Sequence, residues 1–288
     1  MNDKGVLLEI RRKLPTLPQQ ERKVGEYVLE LPQEAVGHSI TALASSCGVS
    51  STTVSRFCRR IGLEGYRNFR IALAKEWGSP ENLLYVNVQP GDTLATVTQK
   101  IFVSNIRALR DTQKVLDLKI LEQVVDAILR ARRVDIYAMG GAGIAARELH
   151  LKSMYLGINA NAFLDSQMQV MSAASLTKED VGIGISHSGM QRHVVEALRL
   201  AGSGGATTIA LTSYPGSPVA KAADMVLYTA SLDSITSHDS PSVRNAQLAV
   251  VDVIYEAMVM KGQSASRKKM ARVAKAISQH MMGSSGET

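Results

Sequence analysis

The chain is expected to form an all-α helix-turn-helix domain at its N-terminus, followed by an α/β domain of three layers around a parallel sheet. Three observations carry this. Residues 39–60 have the spacing of two helices crossing at a tight turn. From about residue 120, short apolar runs alternate with segments of helical period. Loops rich in glycine and serine follow three of those runs directly. The expected division is 1–78 for the first domain, 79–119 for a linker and connecting helix, 120–262 for the second domain and 263–288 for a basic tail.

In chain order, the first helix has the seam Val24, Tyr27, Val28 and Leu31. Thr16, Leu17 and Pro18 lead into it, and Pro32 stops it because proline cannot extend the hydrogen-bond ladder. The turn at its centre of interest lies between Ala44, small enough for a close crossing, and Val54. Gly48 suits the left-handed turn, Val49 points inward and Ser50 is a good N-cap. Val54, Phe57, Cys58 and Ile61 then share one helical face. The rest of that segment offers Ser50, Ser51, Thr52, Thr53, Ser55, Arg56, Arg59 and Arg60, without an acid, as candidates for base edges and phosphates of double-stranded DNA. Gly62 ends the helix, and a further helix to about Trp77 places Arg67, Asn68 and Arg70 as phosphate contacts, with Tyr66 and Phe69 closing the core.

Gly78, Ser79 and Pro80 mark the boundary. A connecting helix over 93–112 carries Val97, Ile101, Ile106 and Leu109. Strands are expected at 134–139, 160–164, 181–185, 207–211 and 225–228, with helices at 121–131, 144–156, 167–176, 193–201, after Pro218 and at 243–260. The connecting helix and the last helix (Val250, Val251, Ile254, Met258) offer either subunit contacts or plain core.

Charge follows the same division. Residues 1–80 hold twelve Lys/Arg against eight Asp/Glu, 81–260 hold fifteen against seventeen, and 261–288 hold six against one. The positive ends suit a phosphate backbone, although the tail could equally be a solvated end. No apolar run approaches the roughly 18 residues of a membrane span. Glu9, Arg11, Arg12 and Lys13 interrupt any signal-peptide core, so a cytoplasmic protein with no membrane partner is expected. Cys47 and Cys58 are expected to be reduced and packed, with a redox pair as the alternative. The six histidines are scattered and no cysteine has zinc-like spacing, so no metal site is expected.

Ligands of open parallel sheets bind beyond the carboxyl ends of the strands. Three such ends suit a phosphate: Gly140, Gly141, Ala142 and Gly143 before a helix; Ser186, His187, Ser188 and Gly189; and the stretch 212–218. A dinucleotide is the competing ligand, since Gly141, Gly143 and Ala146 form a G-x-G-x-x-A match with Asp165 at the end of the second strand.

With both halves in view, the chain resembles the RpiR family of bacterial transcriptional regulators, most specifically in VSSTTVSRFCRRIGLEGYRNFR, in VDIYAMGGAG and in ISHSGMQRHVVEALRLAGSGGATTIALTSYPGSPVAKAAD. The resemblance implies a flavodoxin-like sugar isomerase (SIS) domain binding a phosphosugar effector, no other cofactor, and operator affinity set by that effector. It places the phosphate at the loop of Gly140 to Gly143 and at Ser186 and Ser188, with Asp165 and Gln167 facing the sugar. Ala142 stands where the family usually has a serine, and Gln191 where it usually has a threonine. His187 is either a phosphate donor or a rim residue. A homodimer or homotetramer would set two recognition helices one turn apart on a palindrome. An isomerase or lyase would need a base from Glu148, His187, Glu196 or His238; these assemble no acid–base pair, so no enzyme is expected.

Overall fold

The computed structural model describes residues 5–77, 88, 91–230 and 240–283, which form two units. The first lies within Met1–Val115, Ser213–Ser217 and Tyr228–Ala246, the second within Leu116–Thr212, Pro218–Leu227 and Gln247–Thr288. The boundary expected at Gly78, Ser79 and Pro80 lies outside the described residues, as do His238 and 284–288.

The first unit begins with a helix that the seam analysis did not find, α1 (Val6–Lys13), which buries Leu7, Leu8 and Ile10. Its first amides are capped by the carboxylate of Glu76, which accepts from the backbone N–H groups of Val6 and of Leu7 (3.1 Å) and pairs with Arg107 at 2.9 Å. Burial pushes the Glu76 carboxyl up from its ordinary value, against the pull of those amides and the guanidinium. A 3-10 turn at Leu14–Thr16 leads to α2 (Gln19–Glu30), where Val24 and Val28 are buried. Leu31 is 38 % exposed and lies past the helix, so it is not part of the seam. Pro32 does stop α2, but it also opens α3 (Pro32–Gly37) from a first-turn position, where its missing N–H costs nothing.

Next come α4 (Ile40–Ser46), α5 (Ser51–Arg60) and α6 (Tyr66–Trp77). Val54, Phe57, Cys58, Phe69 and Leu73 form one core with Leu43 and Ala44. Phe57 and Phe69 meet edge to face with centroids 5.9 Å apart, and Tyr66 tilts against Phe69 at 5.8 Å. The connecting helix α7 (Leu94–Val115) is longer than expected. Its expected seam is only partly covered: Ile106 is 47 % and Leu109 39 % exposed, and Ala108 and Thr112 are the buried positions.

The second unit alternates as expected. After α8 (Leu118–Arg130) come β1 (Arg133–Ala138), α9 (Ala142–Tyr155), β2 (Ala160–Phe163), α10 (Ser166–Ala173), β3 (Asp180–Ile185), α11 (Arg192–Ser203), β4 (Thr207–Thr212), α12 (Pro218–Lys221), β5 (Met225–Tyr228), α13 (Pro241–Lys261) and α14 (Gln263–Gly283). The tail expected after 262 is thus largely helical. Strand order is β2-β1-β3-β4-β5, with β1 parallel to both β2 and β3, and β3 parallel to β4.

Alternation along the strands makes the three layers. Val134, Ile136, Ala138, Val181, Ile183, Ile185, Ile209 and Leu211 face a core shared with α8, α9 and α13. Tyr137 and Ala210 face the opposite core, built with α10 and α11. On that second face β3 carries Gly182 and Gly184. A Cβ on Gly184 would lie 2.7 Å from Leu198 and 2.9 Å from Val194, so the glycine lets α11 sit close against the strand. That closeness fixes the start of α11, and with it the loop after β3.

Candidate functional site

Two separate sites emerge, one in each unit. In the first, α4 ends in a Schellman turn: Gly48 has φ +62°, its N–H donates to the Ser45 carbonyl at 3.0 Å, and the Val49 N–H donates to that of Ala44 at 2.9 Å. The Ser50 hydroxyl then caps α5 by accepting from the Thr53 N–H at 3.1 Å. Another Schellman turn closes α5, with Gly62 at φ +93° and the Leu63 N–H donating to the Cys58 carbonyl at 2.9 Å. Both ends of the helix are therefore fixed by local bonds. The buried Val54, Phe57 and Cys58 set its rotation about its axis.

That rotation exposes Thr52, Arg56, Arg59 and Arg60, while Ser51, Thr53 and Ser55 are half-buried. Besides Ser50, whose capping hydroxyl also bonds that of Thr53 at 2.9 Å, Arg60 and Asn68 are engaged within the unit. Arg60 donates from Nε to Glu21 at 2.6 Å, and Asn68 donates to Glu64 at 3.0 Å. Arg67 and Arg70 are exposed on α6. Lys13 adds a cation at the C-terminal end of α5, donating to the Arg60 carbonyl at 2.7 Å, where it complements the helix dipole. Burial pushes the Cys58 thiol up to about 12 and that of Cys47 to about 11, so neither is a thiolate near neutrality.

In the second unit, β1 lies between β2 and β3, and the chain leaves it first to one side and then to the other. This is the switch point at which open sheets bind ligands. Ala138 is paired with Ile185, so the loops after β1 and β3 set out side by side. Gly140, at φ +58°, turns the chain sharply into α9; Gly141 is the capping residue, and Ala142 and Gly143 begin the helix. The Gly143 and Ile144 amides donate to the Gly140 (3.0 Å) and Gly141 (3.2 Å) carbonyls, and the turn lies at the positive end of the helix dipole.

The loop after β3 is buried: Ser186 is 2 %, His187 7 % and Ser188 6 % exposed. The Ser186 hydroxyl accepts from the Gly189 N–H at 3.1 Å, and that of Ser188 from the Met190 N–H at 3.3 Å. Each keeps its own O–H as a donor. Gly189 has φ +65°, and its carbonyl accepts from Val219 at 3.0 Å. Thr212 donates to the His187 carbonyl at 3.1 Å, bracing the loop from β4. Gln191 is half-buried at the α11 cap and makes no capping bond with its side chain. Arg192 follows it, exposed at the first position of α11. A cation is unfavourable there for the helix alone but suits a bound anion; sequence reasoning passed over it.

Asp165 and Gln167 are exposed at the end of β2. The Asp165 Oδ1 caps α10, accepting from the amides of Gln167 and Met168 at 3.0 Å each. Gln169, also passed over in the sequence, is fully buried and donates from Nε2 to the carbonyls of Ala138 (2.9 Å) and Phe163 (3.0 Å), tying the ends of β1 and β2 together. Its signal was the polar residue on the inward side of a helix. Of the third expected loop, Thr212 meets the second loop through its bond to the His187 carbonyl, and Ser213–Ser217 are grouped with the first unit. Glu148 is tied to Lys152 at 3.6 Å, and Glu196 is exposed on α11. Among the described residues no cluster of three metal-ligating side chains occurs, and no helix is long and apolar enough to cross a membrane.

Comparison with known proteins adds to this geometry. Residues 4–80 match the helix-turn-helix domain of the rpiR family, and residues 127–257 match the SIS domain. A helix-turn-helix-type transcriptional regulator of Caldanaerobacter subterraneus is 34 % identical over 89 % of this chain and 91 % of its own length. The regulator HexR of Pseudomonas aeruginosa is 32 % identical over 90 % of each chain. Among solved structures, Vibrio vulnificus NanR in complex with ManNAc-6P has a TM-score of 0.62 and 25 % identity, covering 95 % of this chain and 98 % of NanR.

Proposed function

The chain belongs to the rpiR family of helix-turn-helix transcriptional regulators with a SIS domain, and on that premise we propose that a sugar phosphate held in the SIS domain sets how tightly it grips a DNA operator. The observation that carries the effector half is the buried loop 186–189, whose two hydroxyls are held by backbone amides beside the glycine turn into α9. A compact phosphate can take O–H donors from that loop and N–H donors from the first turn of α9. NanR, similar along nearly its whole length, is known with a phosphosugar bound.

On this reading Gly140, Gly141, Ala142, Gly143, Ser186 and Ser188 hold the phosphate, with Gln191 and Asp165 at the rim. Ala142 contributes its backbone amide alone. Thr52, Arg56 and Arg59 read bases, and Arg67 and Arg70 grip phosphates. The protein works in the cytoplasm as a homodimer or homotetramer, and it binds its effector without turning it over. A panel of hexose, pentose and N-acetylhexosamine phosphates, each beside its unphosphorylated parent, tests this by thermal shift. A ligand at one hundred times its Kd stabilises the folded form by about 2.7 kcal/mol. At least one phosphate should raise the melting temperature while its parent sugar does not. Equal effects of both would remove the phosphate from the account.

A further inference from the structure

The C-terminal helix α14 is a second feature of one-signed charge, and nothing in the helix-turn-helix unit or the strand-end loops uses it. Between Glu256 and Glu287 the sequence has no acid, while it has Lys261, Arg267, Lys268, Lys269, Arg272 and Lys275. At 100° per residue, Lys269, Arg272 and Lys275 fall on one side of α14, and Met270, Val273, Ala274 and Ile277 on the other. Met270 anchors the apolar side, while Ala274 and Ile277 stay exposed, Ile277 at 42 %. Met270 packs against the core beneath the sheet, and Tyr155 of α9 forms a cleft with Met270, Ala274 and Ile277. The three cations are exposed; Lys269 also reaches the Gly157 carbonyl at 3.4 Å.

We propose that α14 presents a phosphate-binding face that adds sequence-independent affinity for duplex DNA. Charge complementarity selects the partner: a row of cations with no acid among them fits a polyanion. The chain already belongs to a class that grips DNA through α5, which makes a duplex the polyanion at hand, and Met270 is packed against the protein rather than open to a bilayer. This inference rests on the DNA-binding reading of α5, and the experiment separates the two.

Duplexes selected from a random pool by the wild-type chain, and scrambled versions of them, are titrated at 50, 100 and 200 mM salt. The wild type is compared with Lys269→Gln/Arg272→Gln/Lys275→Gln and with the charge-keeping Lys269→Arg/Arg272→Lys/Lys275→Arg. Three lost phosphate contacts make the log–log salt slope shallower by roughly 2.7, so the wild type should lose about 40-fold more affinity than the glutamine variant across that range. The charge-keeping variant should follow the wild type, and preference for selected over scrambled duplex should be unchanged. Should the glutamine variant melt early, Arg272→Gln alone replaces it, with a slope change of about 0.9. Equal slopes overturn the proposal. So does a loss confined to sedimentation with phosphatidylserine vesicles, or to self-association. A wild type that shows no preference for its selected duplex would instead defeat the reading of α5, and a slope difference would still support α14.

Discussion

The recognition helix α5 and the loop after β3 place their functional groups in opposite ways. On α5 the working side chains stand outside a core that does not need them: Phe57 is fully buried while Arg56 and Arg59 are exposed. After β3 the hydroxyls of Ser186 and Ser188 are themselves buried and bonded into the turn. Recognition can therefore change on α5 without touching stability, whereas in the loop the atoms proposed to meet the ligand also shape the fold. An effector that binds there acts on a packed element, and packed elements switch between discrete arrangements rather than yielding gradually.

Substitutions test how far that contrast holds. The largest effect is expected from Phe57→Ala, which removes a buried ring touching Phe69 and should cost about 3–5 kcal/mol, read as early melting of the N-terminal unit. Gly184→Val should cost about 1–3 kcal/mol by wedging Leu198 and Val194 off β3, and it should abolish the thermal shift by sugar phosphates because the start of α11 moves. If that variant melted early yet responded normally, the loop would not depend on α11 as described. Arg59→Ala should leave the melting temperature within the scatter expected of a surface change and weaken operator binding by about 1–3 kcal/mol in gel-shift titrations. Instability of that variant would erase the contrast.

The smallest effect concerns acid. Burial opposes ionisation of Asp180, but the Arg132 guanidinium at 2.7 Å and the Thr177 N–H and hydroxyl outweigh it and hold its carboxyl below the ordinary value. A carboxyl lowered on folding contributes stability above its unfolded value near pH 3.9 and loses it as the pH falls toward the folded one. Asp180→Asn should therefore flatten the acid limb of the stability profile below about pH 4 and lower the plateau above it.

Much of this was readable from residue order, and the gaps have physical causes. The apolar runs in VDIYAM and VGIGI mark strands because a central parallel strand is buried on both faces, with Asp135 as the buried exception, paired with Arg133 and bonded by Ser172. Helix α1 escaped because eight residues give only about two turns of period, and its cap, Glu76, comes from 69 residues further along. Helix α3 escaped because Pro32 serves as both a stop and a start. Periodicity found a face on α7 through Ile106 and Leu109, but periodicity says only that a face exists, not that anything covers it. Asp165 shows the same limit at the site. Its position after β2 is readable, but the use of its Oδ1 as the cap of α10 depends on the path of the backbone.

Linkage between the two units is the claim on which the rest depends, and the affinity for a selected operator measures it directly. Titrated with and without saturating sugar phosphates, the protein should change its Kd by about 5-fold or more with at least one of them, in either direction, and should ignore the unphosphorylated parent. If a phosphate bound the SIS domain and left the operator Kd unchanged at every salt concentration, the two units would be uncoupled and the account contradicted.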